Sequence, residues 1–408
     1  MKKKKCYLYN FPSLAGEPRV KEPSVLYSVP DQRFWDSEFV FNNEVKPDGD
    51  LYLCSVFTCG LPDFARFAKK VGKEKIIAGG YHASLCPDDL AGLAAKVIVG
   101  YGNNIDEIIR SSKKGIIRGK FRYNHMDRSV FPLEELKEAW YADIFPGRRS
   151  LSISTFMGCP FPCDFSDNCY IFATFRNKKV FYPASYIKEE LKLLRKYDYE
   201  YLFIRDEGFF LHPEFDKIVK LLAAEGRKIY SFLGPLDGFD ERRMKMLKAA
   251  GWFCLTFGFN VQQDHRDDPE LLRVAALAHK YGINIHMNAI IKGAKDKTSG
   301  YYMNTVGNML LQYMPASMEL YFWTPYPGTR SFEEYRGKYP EESYRLLSDL
   351  HFKSKERPLR ELHQKRLLAL QVMYYRSREY AKLRKFNCGD ELSLRVNRLL
   401  RRGGKRAA

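Results

Sequence analysis

Residues 151–170 read LSISTFMGCPFPCDFSDNCY. A strand-like apolar run at 151–157 ends at Gly158, and three cysteines follow within eleven residues: Cys159, Cys163 and Cys169, spaced C-x3-C-x5-C. Thiolates bind soft metals, and three on one loop can cap one face of an iron–sulfur cube. Three ligands for four irons leave one iron open, which is what a substrate-activating cluster needs. A structural zinc site calls for four closed ligands, and no fourth Cys or His lies close by in the sequence.

Outward from this loop the pattern alternates. Strand-like runs at 151–157, 201–205, 229–233, 252–257, 283–290 and 318–323 are separated by helix-like runs such as 184–196, 214–225 and 241–250. Strands alternating with helices imply a parallel sheet. Six such units in succession predict a (β/α)6 partial TIM barrel over 149–345, with its site at the C-terminal ends of the strands. The segment 1–125 alternates too: strands at 51–57, 75–78 and 97–99, helices at 61–71, 87–95 and 105–111. The fold class expected is therefore α/β, with a Rossmann-like domain at 1–125, a linker at 126–148, the barrel at 149–345 and a helical basic extension at 346–408. Residues 11–50 are harder to place, and 112–148 read as a crossing between domains.

Gly158-Cys159-Pro160-Phe161-x-Cys163-x-Phe165 resembles the cluster loop of the radical S-adenosylmethionine (SAM) superfamily. That family carries C-x3-C-x2-C after the first strand of a (β/α)6 barrel. The usual spacing would put the third ligand at Ser166, whereas the next cysteine here is Cys169, so the resemblance implies a loop enlarged over 164–168. It also implies SAM contacts. Asp206 and Glu207 end the second strand, where relatives place acids near the SAM amino group, and a strand-end turn with a cap is the other reading. Asn260 stands where relatives have Glu in Gly-x-Glu-Ser and can hydrogen-bond without charge. Asn288 on the fifth strand faces either the top of the barrel or a helix. Thr324-Pro325-Tyr326-Pro327-Gly328-Thr329 looks like the closing loop of cobalamin-dependent relatives.

The front segment resembles the cobalamin-binding domain fused to such barrels. Ala78-Gly79-Gly80-Tyr81-His82 matches its Gly-Gly-x-His segment, and 97–102 (VIVGYG) its Val-x-Gly-Glu-Gly segment, with Tyr101 where an acid is usual. The resemblance makes Gly79, Gly80, His82, Gly100 and Gly102 candidate cobalamin contacts. His82 could equally be a cap or simply buried. No Asp-x-His-x-x-Gly motif is present, so a mutase-type histidine ligand is not expected. The implied cofactors are a 4Fe–4S cluster, SAM and, for the front domain, cobalamin. The implied activity is reductive SAM cleavage to a 5′-deoxyadenosyl radical, used for methylation or another change at an unactivated carbon, and fed by a flavodoxin- or ferredoxin-type one-electron reductant.

Composition bounds the rest. The 408 residues are 45% hydrophobic and 28% charged, ordinary for a globular protein. No run of 18 apolar residues occurs, and the run 7–12 is too short for a signal-peptide core, so a cytoplasmic protein without a membrane span is expected. Cys6, Cys54, Cys59, Cys86, Cys254 and Cys388 are scattered and read as small buried hydrophobes or free thiols. The formal charge is +18; from Lys353 onward 17 basic residues face 5 acidic ones. That end reads as a solvated helix and frayed tail, or as a surface for nucleic acid or another acidic partner. Two alternatives stand beside the main reading: a cobalamin-free radical SAM enzyme acting on RNA or peptide, and a non-catalytic metal- and nucleic-acid-binding protein.

Overall fold

The computed structural model describes residues 3–11, 24–41, 44–133, 150–159, 174, 179–206, 208–234, 239–260, 268–291, 299–322, 326–335, 370, 373 and 374. They fall in two compact units. One draws on Met1–Leu136, Gly158–Lys179 and Thr324–Lys353, the other on Lys137–Met157, Val180–Trp323 and Ser354–Ala408.

The first unit is built on a six-stranded, all-parallel sheet in the order β2-β1-β3-β4-β5-β6. Its strands are β1 (Lys4–Phe11), β2 (Trp35–Val40), β3 (Leu51–Val56), β4 (Ile76–Gly79), β5 (Lys96–Gly100) and β6 (Gly115–Gly119). Helices α1 (Leu61–Val71), α2 (Gly80–Leu85), α3 (Asp88–Ala91) and α4 (Ile105–Arg110) connect them. The strands 51–57, 75–78 and 97–99 are found within a residue or two. The sequence reading missed β1, whose hydrophobic Tyr7–Phe11 run it considered only as a leader. It also missed β2, β6 and α2.

β1 lies inside the sheet, which explains its apolar run: strands of a parallel sheet are buried on both faces. Tyr9, Phe11, Tyr52, Phe64 and Phe67 form an aromatic core, with Tyr9 and Phe67 ring centroids 4.5 Å apart. Their hydroxyls do not go unsatisfied. Tyr9 donates to the Glu44 carbonyl at 2.8 Å and Tyr52 to the Lys46 carbonyl at 2.7 Å, so the core itself ties down the turn before β3. Cys6 and Cys54 sit in this apolar surround, where burial raises both thiols and keeps them protonated.

The second unit carries six parallel strands in the order β14-β13-β12-β11-β10-β7, each neighbour the next in sequence apart from the short β8 and β9. They are β7 (Ser150–Ile153), β10 (Tyr201–Ile204), β11 (Lys228–Leu233), β12 (Trp252–Asn260), β13 (Asn284–Ile291) and β14 (Ser317–Phe322). Helices α5 (Ala184–Leu194), α6 (Phe215–Ala223), α7 (Glu241–Ala249), α8 (Pro269–Lys280) and α9 (Ser299–Tyr313) run between them. This is the sequential β/α order that the alternating pattern predicts. One expected strand is split: 151–157 becomes β7 and β8 (Phe156–Gly158), the latter pairing with β9 (Lys179–Phe181).

Of the C-terminal extension, only Leu370, Met373 and Tyr374 are described. They are helical, and the buried Tyr374 donates to the Pro315 carbonyl at 3.0 Å, packing this point of the extension onto the second unit. No described helix is long and apolar enough to cross a membrane.

The turn 326–329, just before α10 (Arg330–Tyr335), packs on the end of α2. A Cβ at Gly328 would lie 2.6 Å from Leu85 Cβ and 2.8 Å from its carbonyl oxygen, at a φ of +80°. Gly328→Ala should therefore destabilise the chain by more than about 1 kcal/mol, read as a fall in the denaturant midpoint, whereas Arg330→Ala, at an exposed position beside it, should change it little.

Candidate functional site

The second sheet has two chemically distinct faces. On one, Leu151, Ile153, Leu202, Ile204, Ile229, Leu255, Phe257, Ile285, Met287, Ala289 and Met318 are all buried hydrophobics. Parallel register puts their alternates together on the other: Ser152 beside Phe203, Phe203 beside Tyr230, Phe232 beside Thr256, Thr256 beside His286 and His286 beside Ser317. That face is aromatic at β10 and β11 and polar at β12, β13 and β14.

The polar part is organised around His286, only 2% exposed. Its Nδ1 lies 2.6 Å from Ser317 Oγ and its Nε2 2.9 Å from Asn288 Oδ1, with a Glu319 carboxylate oxygen 3.9 Å away. Asn288 thus shares the polar face with His286, and the alternative of a helix-facing Asn288 falls away. Gly258 pairs with Asn288 on the same face, and a Cβ there would meet nothing within 4 Å. A roomy, polar patch near the C-terminal strand ends is where a polar cofactor can be received. Asn260 ends β12 two residues further. Sequence reasoning missed His286, Ser317 and Glu319, although the period-2 polar positions Asn284, His286 and Asn288 in an otherwise apolar strand were a readable signal.

Asp206 follows β10 and is 5% exposed. Its Oδ2 accepts hydrogen bonds from the Thr155 backbone N–H, from Thr155 Oγ1 at 2.5 Å and from the Phe156 N–H at 3.2 Å. These bonds hold the break between β7 and β8, four residues before Cys159, and account for the split strand. Burial pushes the Asp206 carboxyl up to about 7, against the opposing pull of those three donors and of the Arg205 charge. Arg205 Nη1 is buried and has no hydrogen-bond partner among the described residues. An orphaned guanidinium nitrogen beside a polar face fits a carboxylate ligand. Glu207, Cys163 and Cys169 lie outside the described residues; Cys159 is buried at the exit of β8.

In the first unit the two glycine turns end neighbouring strands, β4 and β5, and one side chain joins them. Ser84 Oγ donates to the Gly80 carbonyl at 2.9 Å and accepts from the Gly100 N–H at 3.0 Å. The four glycines divide by what surrounds them. A Cβ at Gly80, φ +94°, would sit 2.8 Å from the Val56 nitrogen, so chain packing demands glycine there, whereas one at Gly102 would meet Ser28 Oγ at 2.6 Å, a contact that turning the Ser28 side chain relieves. At Gly100, φ +86°, nothing lies within 4 Å, and at Gly79 only Ile98 Cβ, at 3.9 Å. The turns leave open space at Gly79 and Gly100, as a flat ligand would require. His82 is 2% exposed, with Nδ1 3.0 Å from Thr58 Oγ1, and burial lowers its pKa against the opposing charge of Asp89.

No protein-family model matches the chain. In sequence it is similar to the bacteriochlorophyllide d C-8(2)-methyltransferase of Chlorobaculum tepidum, 23% identical over 341 residues, covering 72% of this chain and 71% of that one. In structure it is similar to the apo form of the cobalamin-dependent S-adenosylmethionine radical enzyme OxsB, with a TM-score of 0.56, 12% identity, and coverage of 100% of this chain and 80% of that one. Streptococcus suis SuiB bound to S-adenosylmethionine also matches over 46% of each chain, at 12% identity and a TM-score of 0.36. The fold is therefore mixed α/β with parallel sheets, as in a cobalamin-dependent radical SAM enzyme. The sequence relative is a methyltransferase and the structural neighbour a cobalamin-dependent radical SAM enzyme, and what the likeness to the latter shows of this chain is its fold.

Two changes at Asp206 separate its packing role from its titration. Asp206→Ala strands two backbone donors and a hydroxyl, each worth about 1–3 kcal/mol when buried unpaired, and should lower unfolding stability by at least about 2 kcal/mol. The sign with pH follows from the raised value. The folded state keeps the Asp206 proton up to about pH 7, while the unfolded chain loses it near 3.8. This group's contribution to stability is therefore fully present at low pH and declines as pH rises between those values. Asp206→Asn should remove that decline, read as a flatter stability–pH curve than wild type.

Proposed function

We propose that this protein reductively cleaves SAM at a 4Fe–4S cluster held by Cys159, Cys163 and Cys169, and uses the product for cobalamin-assisted methylation or another modification of an unactivated carbon. The observation that carries the reading is Cys159, buried at the exit of a strand pair whose preceding turn is fixed by Asp206. Three thiolates on one loop suit the cluster and leave one iron for a ligand. When bound, the cluster would supply the electron that splits SAM into methionine and a 5′-deoxyadenosyl radical.

The chain's own contribution is placement. The orphaned Arg205 nitrogen fits the SAM carboxylate. Asn288, held in orientation by His286, offers its amide to the cofactor, with space left for it at Gly258. Glu207 and Asn260 complete the proposed SAM contacts, and Asp206 serves them by fixing the turn that leads to the cluster loop. The buried hydrophobic face behind the sheet keeps the polar face rigid. A flavodoxin- or ferredoxin-type partner would deliver the electron, and the basic C-terminal end would meet an acidic partner or nucleic acid. Cobalamin would be received at the open glycine turns, Gly79 and Gly100, with Gly80, Gly102 and Ser84 setting their shape.

Anaerobic reconstitution with iron, sulfide and SAM, followed by assay of 5′-deoxyadenosine, tests the core of this reading. Changing any of Cys159, Cys163 or Cys169 to Ala should reduce product to background. Full activity in Cys169→Ala would instead point to Ser166 or an outside ligand.

Cobalamin has its own test. Gly79→Leu fills open space at an extended φ of −144°, so the backbone tolerates it. Wild type should retain hydroxocobalamin through gel filtration and Gly79→Leu should not. Equal and negligible retention by both would make the enzyme a cobalamin-independent one.

A further inference from the structure

The connector from α2 to α3 gathers a donor set that the proposed chemistry does not use. A ring nitrogen of His82, Cys86 Sγ and an Asp89 carboxylate oxygen all lie within 4.8 Å of one another, the one such His/Cys/carboxylate group among the described residues, and His82 Nε2 is 3.2 Å from Asp89 Oδ2. His82 and Cys86 are four residues apart, one helical turn. Cys86 caps α2, its N–H bonded to the His82 carbonyl at 2.8 Å, and the Asp89 N–H reaches the Cys86 carbonyl at 3.3 Å. The backbone thus presents the three side chains from a single tight stretch.

A second observation points to a ligand. His82 is 2% exposed, and its Nε2 is a buried polar atom without a hydrogen-bond partner. Asp89 Oδ2 lies 3.2 Å from it, within ion-pair reach, and is the protein group that faces this nitrogen. Meanwhile Nδ1 is engaged with Thr58 Oγ1 at 3.0 Å. When Nδ1–H donates to that hydroxyl, Nε2 is left as a lone-pair donor beside the Asp89 carboxylate. Imidazole nitrogen, carboxylate and thiol then converge, and in that tautomer the proton left among them is the one on Cys86 Sγ. A cation resolves that arrangement, and Thr58 becomes the outer partner that fixes the tautomer, as metal-bound histidines commonly require.

We propose that His82, Cys86 and Asp89 form a zinc-type divalent metal site with three protein ligands and a solvent-facing fourth position. A mixed nitrogen, sulfur and oxygen set suits Zn2+ and excludes the oxygen-seeking Ca2+ and Mg2+. Bond lengths of about 2.0–2.3 Å in a tetrahedron put ligands roughly 3.3–3.8 Å apart, so closure needs side-chain adjustments of about 1 Å. The half-exposed Asp89 leaves the outer side to water. Binding releases the Cys86 thiol proton to solvent. The site goes beyond the proposed SAM chemistry and does not depend on it. It clamps α2, the helix whose Ser84 joins the two glycine turns, and it commits both His82 nitrogens, so His82 would brace the edge of the open space rather than touch a corrin.

The test uses the full-length protein, loaded with ZnCl2 alone and then dialysed, with zinc counted per chain by mass spectrometry and affinity read by competition with a chromophoric chelator. Wild type should hold about one zinc. Cys86→Ser and Asp89→Asn should weaken binding at least about 10-fold, and Thr58→Val should do so by about 10-fold without removing a ligand. Substitution with Co2+ should give a sulfur-to-cobalt charge-transfer band that Cys86→Ser lacks. A Cys159→Ala, Cys163→Ala, Cys169→Ala triple variant cannot hold the cluster and should keep its zinc, which separates failure of this site from failure of the cluster assignment. Should His82→Gln not fold, the exposed Asp89→Asn still carries the test. Equal zinc affinity in wild type, Cys86→Ser and Asp89→Asn, or loss of zinc only in the triple variant, would overturn the proposal.

Discussion

A buried carboxylate holds the second unit's candidate site in order. Asp206 takes two backbone N–H groups and a hydroxyl from Thr155 and Phe156 onto one oxygen. Without it, the break between β7 and β8 would bury donors with nothing to accept them, and the chain would have every reason to run on as one strand. With it, the chain leaves the sheet at a fixed point, and the segment bearing Cys159 begins there. Asp206 is nearly inaccessible to solvent, and burial favours its neutral form although its donors favour the charged one. Burial dominates because the group is wholly enclosed, and desolvation of a full charge outweighs three hydrogen bonds to it.

The remainder of that unit divides labour between the two faces of one sheet. Helices α5 to α9 alternate with strands whose outer residues are buried hydrophobics, which supplies the cohesion. The inner residues are then free to be polar: Thr256, His286, Ser317, Asn288 and Glu319. His286 is the centre of this patch because its two ring nitrogens meet Ser317 and Asn288, so neither neighbour can rotate independently. In the first unit the same principle works with backbone instead of side chains. Glycines end the strands, and Ser84 ties the two ends together.

Much of this was legible in the sequence, and the failures have physical causes. Alternation of apolar and helical periods located β3, β4, β5 and all six strands of the second sheet, because those strands are buried and bounded by helices with clear periods. β1 was missed because its run, directly after four lysines, was weighed only as a signal-peptide core and set aside as too short for one. β2 was missed because only its last two residues are buried, leaving a short, mostly polar strand. The split of 151–157 could not be read locally, since its cause is a carboxylate some fifty residues away in sequence. The glycine motif marked the right turns but could not tell Gly80, which packing against the Val56 backbone demands, from Gly79 and Gly100, which face open space. His286, Ser317 and Glu319 carried a period-2 signal that the family comparison passed over, because it looked only where relatives keep acids.

The central claim is that Cys159, Cys163 and Cys169 hold a cluster with one iron left open for SAM. Electron paramagnetic resonance of the reconstituted, reduced full-length protein, with and without SAM, tests it most directly. The account predicts a cluster signal whose shape changes when SAM is added, and no such change in the Cys169→Ala variant. A signal indifferent to SAM, or a protein that takes up zinc and no iron at this loop, would contradict it.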